Sequence, residues 1–436
     1  MGGGASKETY EMKKCLSSQA PLQATQTGKL PRAASDVGSS PKSDVNKIAP
    51  LKNRQRSASY LVQDASAAAP KLTRSKSVVN PGGSFSTSGL NIQVSPKIPW
   101  LVKKTAVRSF VSAKTFTFGQ VIGKGLMGTV RAAKFSGSSP GLWVAIKSIR
   151  KDYIKKHNDE RHVNNEKEIL CAMTSPFCIR LFGTFQDDNH IHFVLEFAAG
   201  GELFRRLSKK QYFPPNTAKF YLCEVFLAVW HVQSLGFVYR DLKPENVMLD
   251  EYGHCKLVDF GFSTRPNEHG MCLTNVGTPA YLSPEQLNGK FTQGYTSIVD
   301  WWSLGVLLYE LMTGVTPFCK NFSESPYEIY LRVLKGKIKF PRSFNSSAKD
   351  LVSSLLHADL STRLVDPKQI KSHPYFNDVD WEAVANRQIL PPFVPRLAEE
   401  GDMMHFDDYG TFEMHDCPSK PKKGKGPLVL GHFAGF

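Results

Sequence analysis

The stretch "FVYRDLKPENVMLD" (Phe237–Asp250), followed shortly by "KLVDFGFS" (Lys256–Ser263), decides how the chain is read. Asp241 is suited to accept a hydroxyl proton or to orient the hydroxyl, and Lys243 to neutralise charge on a transferred phosphoryl group. Asn246 and Asp259 are suited to hold Mg²⁺, which takes oxygen ligands and keeps several waters, so that one carboxylate and one amide beside ATP phosphates suffice. Each residue type is common by itself. Their order and spacing together are specific.

Upstream lies "FTFGQVIGKGLMGTVRAAK" (Phe116–Lys134), with Gly123, Gly125 and Gly128 between two strand-like runs. A lone G-x-G-x-x-G also opens dinucleotide-binding helices. Here Val130 follows the last glycine closely and the run continues β-like, so the pattern is strand, turn, strand. Such a turn brings backbone N–H groups over phosphates without side-chain obstruction. The next apolar strand ends "VAIK", placing Lys147 where phosphate oxygens are expected. A buried ammonium needs a counter-charge, and "RHVNNEKEILCAM" (Arg161–Met173) offers two. Glu166, four residues before Leu170, is the expected partner; Glu168 is read as a solvated face residue.

With these motifs in place the chain resembles eukaryotic protein kinases of the AGC group, and within it the catalytic subunits of cAMP-dependent protein kinases. The resemblance covers Phe116–Phe376 and a tail to Phe436. It implies an α+β, two-lobed kinase fold, with a small β-rich lobe over 116–197, a large helical lobe over 198–376 and an AGC tail over 377–436, preceded by an arm over 1–115 whose composition reads as basic and largely disordered. It implies ATP and Mg²⁺ as cofactors, with Val130 and Ala145 beside the nucleotide. In the hinge "LEFAAGG" (Leu195–Gly201), Leu195 is the implied gatekeeper, while the backbone at Glu196 and Ala198 meets adenine. "FDDY" (Phe406–Tyr409) matches the tail segment that borders the adenine site. Glu285, in "SPE", is implied to pair with Arg363, and Asp300 stands in "DWWSLG".

By the same resemblance Thr274 is the activation-loop phosphoacceptor, four residues before Thr278, which contacts Asp241. A phosphate adds about −1.5 to −2 charges and should order the loop by pairing with cations, here Arg240 and His162. Thr264, followed by Arg265, stands where relatives have a lysine, so the clamp is expected to be weaker or rearranged. Glu202, Glu245 and Glu310 match positions that bind arginines upstream of a Ser/Thr acceptor, and desolvated Arg–carboxylate pairs are strongly directional. Leu273 replaces a tryptophan that helps dock a cAMP-binding regulatory subunit, and Ala280 replaces an acid; the partner is in question, catalysis is not. A different AGC kinase without that partner, and a non-catalytic scaffold, are the rival readings.

The chain ends "GHFAGF", with Phe433 and Phe436 beside the carboxylate. Untethered ends are usually small and polar, so these rings need a pocket. The resemblance supplies one beside the Glu166 helix, and at about 3.3 Å per extended residue the tail is long enough to reach it.

Composition bounds the rest. Over the first hundred residues 14 Lys/Arg face 5 Asp/Glu, more than half of the overall +16, in a Ser-, Ala- and Pro-rich arm. The cations lack interleaved aromatics, which argues for a solvated tail and no nucleic-acid partner. The eight cysteines show no paired or metal-ligand spacing, which fits a reducing compartment and a cytoplasmic location. "WWSLGVLLYELMTGV" contains Glu310 and reads as a buried core helix, not a membrane span. "MGGGAS" makes Gly2 a candidate for N-myristoylation, which alone anchors only marginally, so a membrane-attached fraction would need Lys13, Lys14 or Cys15 as well. "RQRSASY" and "TRSKSVV" place Arg56 and Arg74 three residues before Ser59 and Ser77, basophilic patterns that suggest autophosphorylation, with chance pairing in a Ser-rich arm as the alternative.

Overall fold

The computed structural model describes residues 108–409 apart from 110–112, 126, 137–141, 288–293, 321–323 and 343, together with Phe436. Gly2, Lys13, Lys14, Cys15, Ser59, Ser77 and Phe433 lie outside the described residues.

Alternating apolar runs make the small lobe a six-stranded sheet: β1 (Arg108–Ser109), β2 (Phe116–Lys124), β3 (Gly128–Phe135), β4 (Trp143–Arg150), β5 (Leu181–Gln186) and β6 (His190–Glu196), in the order β1-β5-β6-β4-β3-β2. β1 pairs parallel with β5, and the other neighbours are antiparallel. β1 precedes Phe116, where the small lobe was expected to start. Two helices, α1 (Lys151–His157) and α2 (Glu160–Ala172), join β4 to β5.

The period of two along β4 divides its side chains between functions. Val144 and Ile146 pack with Phe116, Phe185 and Val194, whereas Ala145 faces a second cluster with Ala132, Phe197 and Phe406. Lys147, two residues on, shares the Ala145 side.

The large lobe is helical: α3 (Leu203–Lys210), α4 (Pro215–Ser234), α5 (Pro284–Leu287), α6 (Val299–Thr313), α7 (Pro326–Lys335), α8 (Ser346–Leu355), α9 (Pro367–Lys371) and α10 (Trp381–Ala385). α6 is the helix expected to be buried; every residue from Val299 to Leu311 is. α7 begins with a capping box, Ser325 and Glu328 bonding each other's backbone N–H, and ends at Gly336 in the left-handed conformation. A small sheet, β7 (Gly201–Glu202), β8 (Val247–Leu249) and β9 (Cys255–Leu257), carries the Asp241 and Asp259 loops at its ends. Arg363 grips Glu285 through two hydrogen bonds, 2.6 and 3.0 Å, as the resemblance implied.

Among the described residues no cysteine is in a disulfide, and no helix is long and apolar enough to cross a membrane.

Candidate active site

Asp241 lies on the loop between α4 and β8. Its Oδ1 accepts the Thr278 hydroxyl at 2.8 Å, and its Oδ2 stands 2.8 Å from both the Lys243 ammonium and the Asn246 amide nitrogen. Lys243 also donates to Thr278 Oγ1 at 2.9 Å, closing a ring of three side chains. Four residues separated in role by the sequence thus meet around one carboxylate.

The backbone under this ring is held in an unusual shape. Arg240 has φ of 74° and Asp259 φ of 56°, left-handed conformations that cost non-glycine residues about 1–3 kcal/mol each unless their surroundings enforce them. Asp300 does the enforcing at Arg240. Its fully buried carboxylate accepts the N–H of Tyr239 at 3.0 Å and of Arg240 at 2.9 Å, and the Gln233 amide at 3.1 Å. Burial pushes this carboxyl above the ordinary value, and the two backbone N–H donors pull it back. Sequence reasoning quoted Asp300 within a motif but gave it no role; its signal was an acid in a helix that, but for Ser303 and Glu310, is apolar as far as Met312.

Across the cleft, the Lys147 ammonium reaches Glu166 Oε1 at 2.6 Å and Asp259 Oδ1 at 3.0 Å. Burial pulls Lys147 down, but Asp259 and Glu166 outweigh it and hold the ammonium above its ordinary 10.5. Lys147 in turn holds Asp259 below the usual carboxylate value, while burial of Glu166 prevails over Lys147 and leaves that carboxyl raised. Glu168 is exposed, as expected, yet not simply solvated: it accepts from Arg265 Nε at 2.8 Å.

The glycine turn closes through a Gly125 N–H to Gly128 C=O bond of 2.9 Å. A Cβ on Gly128 would sit 1.8 Å from the Ser148 carbonyl oxygen, so glycine there is required by the approach of β4. Nothing comparable constrains Gly123 or Gly125, where a Cβ would find its nearest neighbour at 3.5 and 3.9 Å. Those two leave a bare cradle on the cleft side. Beneath it, Val130, Ala145, Leu195 and Phe406 come together in one apolar cluster, which also takes in Ile122 and Met248, two residues not foreseen. Phe406 stacks on Phe197 with ring centroids 5.5 Å apart. In the hinge, Glu196 N–H bonds the Arg180 carbonyl at 2.9 Å, and its carboxylate holds Lys256 at 2.8 Å, while the Ala198 carbonyl accepts from Gly201 at 3.3 Å. A flat apolar slot, a bare glycine cradle and an oxygen donor pair at Asn246 and Asp259 fit a nucleotide and its divalent ion.

Thr274 is exposed, and Arg240 Nη1 donates to its hydroxyl at 2.7 Å. Tyr295, another residue missed, donates to the Thr274 carbonyl at 2.5 Å and accepts from Arg240 at 3.1 Å. His162 is not part of this group. Its Nδ1 bonds the Asp159 carboxylate at 2.9 Å, three residues back, and Nε2 is the nitrogen that Asp159 does not engage. Thr264, in the place of a lysine, accepts from Asn165 at 3.3 Å.

Of the three glutamates assigned to arginine recognition, Glu202 opens into a crevice lined by Ile122, Phe406 and Tyr409, and Glu245 lies in the turn Pro244–Asn246. Glu310 is buried and accepts the Tyr281 hydroxyl. Phe436 packs edge-on against Phe193 at 5.5 Å, under the Lys167 ammonium at 4.0 Å.

Residues 116–376 match the protein kinase domain, so the chain belongs to the protein kinase family. Within that family it is an AGC kinase domain closely related to cAMP-dependent catalytic subunits. It is 38% identical over 316 residues to the human cAMP-dependent protein kinase catalytic subunit PRKX, covering 72% of this chain and 86% of the relative. It is 38% identical over 309 residues to the cAMP-dependent protein kinase catalytic subunit of Dictyostelium discoideum, covering 70% of this chain but only 46% of the relative. Against the cAMP-dependent protein kinase catalytic subunit of Arthrobotrys oligospora the identity is 38% over 336 residues, 75% of this chain and 61% of the relative. The chain thus spans about half the length of the first of these two longer relatives and under two thirds of the second.

Proposed function

We propose that the chain transfers the γ-phosphoryl group of Mg-ATP to serine or threonine hydroxyls in proteins, at sites with arginine upstream of the acceptor. The observation that carries this is the Asp241 carboxylate meeting Thr278, Lys243 and Asn246 at 2.8 Å or through one shared hydroxyl. Phosphoryl transfer asks the protein for positioning and charge stabilisation more than covalent chemistry. Asp241 orients the acceptor hydroxyl and takes its proton; Lys243 balances charge on the transferring group. Gly123, Gly125, Gly128 and Lys147 hold phosphates, Glu166 keeps Lys147 in place, and Val130, Ala145, Phe406 and the backbone of Glu196 and Ala198 hold the base. Asn246 and Asp259 hold Mg²⁺, whose bound charge offsets that of the phosphates.

Thr274 is the switch in this reading. A phosphate there meets Arg240 at once, and His162 joins through Nε2 while Asp159 keeps Nδ1. Glu202 and Glu245 face the substrate arginines, and the Tyr281 bond makes Glu310 the weakest of the three assignments. The segment 377–436 serves as the AGC tail, Phe406 closing the nucleotide slot and Phe433 with Phe436 clamping α2. The domain limits 116–376, the basic arm over 1–115, a cytoplasmic location and acylation of Gly2 belong to the same reading.

The relatives' names suggest a cAMP-binding regulatory subunit. Leu273, 68% exposed where a docking tryptophan is expected, favours instead an AGC kinase free of that partner. The test is phosphate transfer from Mg-ATP to a peptide with two arginines before its serine, with and without a cAMP-dependent regulatory subunit and cAMP. Suppression by the subunit and release by cAMP establishes the first; transfer indifferent to both establishes the second; no transfer after Thr274 phosphorylation removes the kinase reading.

A further inference from the structure

Away from the cleft, the hairpin joining β5 to β6 gathers two imidazoles and a carboxylate. Asp187, His190 and His192 offer ligand atoms that all lie within 4.8 Å of one another. The turn itself builds the arrangement. Asp187 N–H donates to the His190 carbonyl at 3.0 Å, while Asp187 Oδ1 accepts the N–H groups of Asn189 at 2.8 Å and His190 at 2.7 Å. The carboxylate is thereby fixed with Oδ2 2.9 Å from His192 Nε2, and Oδ1 stands 3.5 Å from His190 Nδ1. His190 and His192, two apart on one strand, project from the same face.

Two further contacts hold the His192 ring. Phe185 stacks on it at 4.3 Å, and Ser148, directly opposite across β4 and β6, sets its hydroxyl 2.8 Å from Nδ1. A partner on the far nitrogen is the arrangement that fixes the tautomer and aims the other nitrogen at a metal. Both rings are buried, while the Asp187 side chain is 46% exposed and leaves the cluster open to solvent. Opposing charge is present too: the Lys151 ammonium bonds the Asp187 carbonyl at 2.6 Å, so it neighbours the cluster without occupying its carboxylate.

The geometry points to a cation site separate from the phosphate-transfer centre: Zn²⁺ bound by His190, His192 and Asp187, with water in the fourth position. Two imidazoles and one carboxylate suit zinc and its first-row neighbours better than Mg²⁺ or Ca²⁺, which take oxygen. Zinc needs its ligands about 2.0–2.2 Å away, so side-chain rotation has to part His192 Nε2 from Asp187 Oδ2 slightly and draw His190 to the ion while the hairpin backbone stays put. The bound ion ties the β5–β6 turn to β6, whose His192 bonds Ser148 on β4, the residue after Lys147.

The test is titration of the full chain with ZnCl₂ against a chromophoric chelator, with Co²⁺ absorption as a second readout. Wild type and Asp259→Ala should each bind one ion equally tightly, which separates this site from the Mg²⁺ donors. The double variant His190→Gln/His192→Gln should lose the tight site and the tetrahedral Co²⁺ band, and Ser148→Ala should weaken binding roughly tenfold or more. Because the double variant removes buried rings, Asp187→Asn is the folding-safe check: the amide oxygen still accepts the turn N–H groups, yet zinc affinity should fall at least tenfold. Equal zinc affinity in wild type and Asp187→Asn, or no zinc uptake by wild type, overturns the proposal and leaves the three residues as a hydrogen-bonded hairpin brace.

Discussion

The two sides of the cleft are built by different means. On the large-lobe side Asp241 draws Lys243 and Asn246 from its own loop, and Asp300, fully buried, pins the backbone beneath. On the small-lobe side Lys147 depends on carboxylates delivered from a distance: Glu166, 19 residues on, and Asp259, 112 residues on and half exposed. A set made within one loop persists whatever the lobes do. The Lys147 set exists only while α2 and the lobes keep their places. Three side chains of α2 hold it: Asn165 and Glu168 against the neighbouring Thr264 and Arg265, and Lys167 over Phe436. Regulation should therefore act on the Lys147 side and leave the Asp241 side alone.

Breaking the rigid side should cost folding before it costs anything subtler. Arg363→Ala strands the Glu285 carboxylate in the large lobe, and loss of one partner of a buried pair costs about 3–5 kcal/mol. Chemical denaturation should show it as a lower midpoint with an unchanged slope; an undiminished midpoint would mean the large lobe is not braced as described. On the adjustable side the reverse is expected. Glu166→Gln removes a charge-assisted hydrogen bond of about 1.5–3 kcal/mol, which should appear as roughly a ten- to hundredfold loss of kcat/KM with little change in Tm. A drop in Tm as large as that of Arg363→Ala would erase the distinction.

Phe436→Ala is gentler. A fully buried phenylalanine ring is worth about 1.5–3 kcal/mol, and this half-buried one should yield roughly half, read as a few-fold fall in kcat/KM that added stabilisation of α2 restores. The smallest effect is in alkali. Burial lowers Lys243, but Asp241 and Glu245 prevail and raise it, as Asp259 and Glu166 raise Lys147. For lysines raised on folding, the charged form and its stabilisation persist below the unfolded value of 10.5 and fade only as pH rises through the folded one. A pH–rate profile should then show no basic limb from these groups up to about pH 9.5; a limb centred near pH 8 that vanishes in Lys243→Ala would contradict the geometry.

Legibility followed the range of the interaction. Asp241, Lys243 and Asn246 were readable because their chemistry is packed into six consecutive positions. Glu166 could be chosen over Glu168 because it shares the buried stripe of Val163, Ile169 and Leu170, and two residues along a helix point to different sides. What stayed hidden was long-range, or local without a motif to mark it. Asp300 acts on backbone sixty residues away, and Tyr295 on the Thr274 carbonyl, contacts with no periodic signature. His162 was assigned to a phosphate on Thr274, and the bond of its Nδ1 to Asp159, three residues back, was not foreseen. β1, two residues paired with β5, is too short to read from an apolar pattern.

The most direct test is the rate of phosphate transfer from Mg-ATP to an arginine-containing serine peptide by wild type and Asp241→Asn, with Tm measured on both. The amide keeps the size of the Asp241 side chain while losing its charge and basicity. With the carboxylate gone, kcat should fall by about 10²–10⁴ with Tm nearly unchanged. Equal rates in the two proteins would contradict it, because the carboxylate at the centre of the described geometry would then have no part in the chemistry.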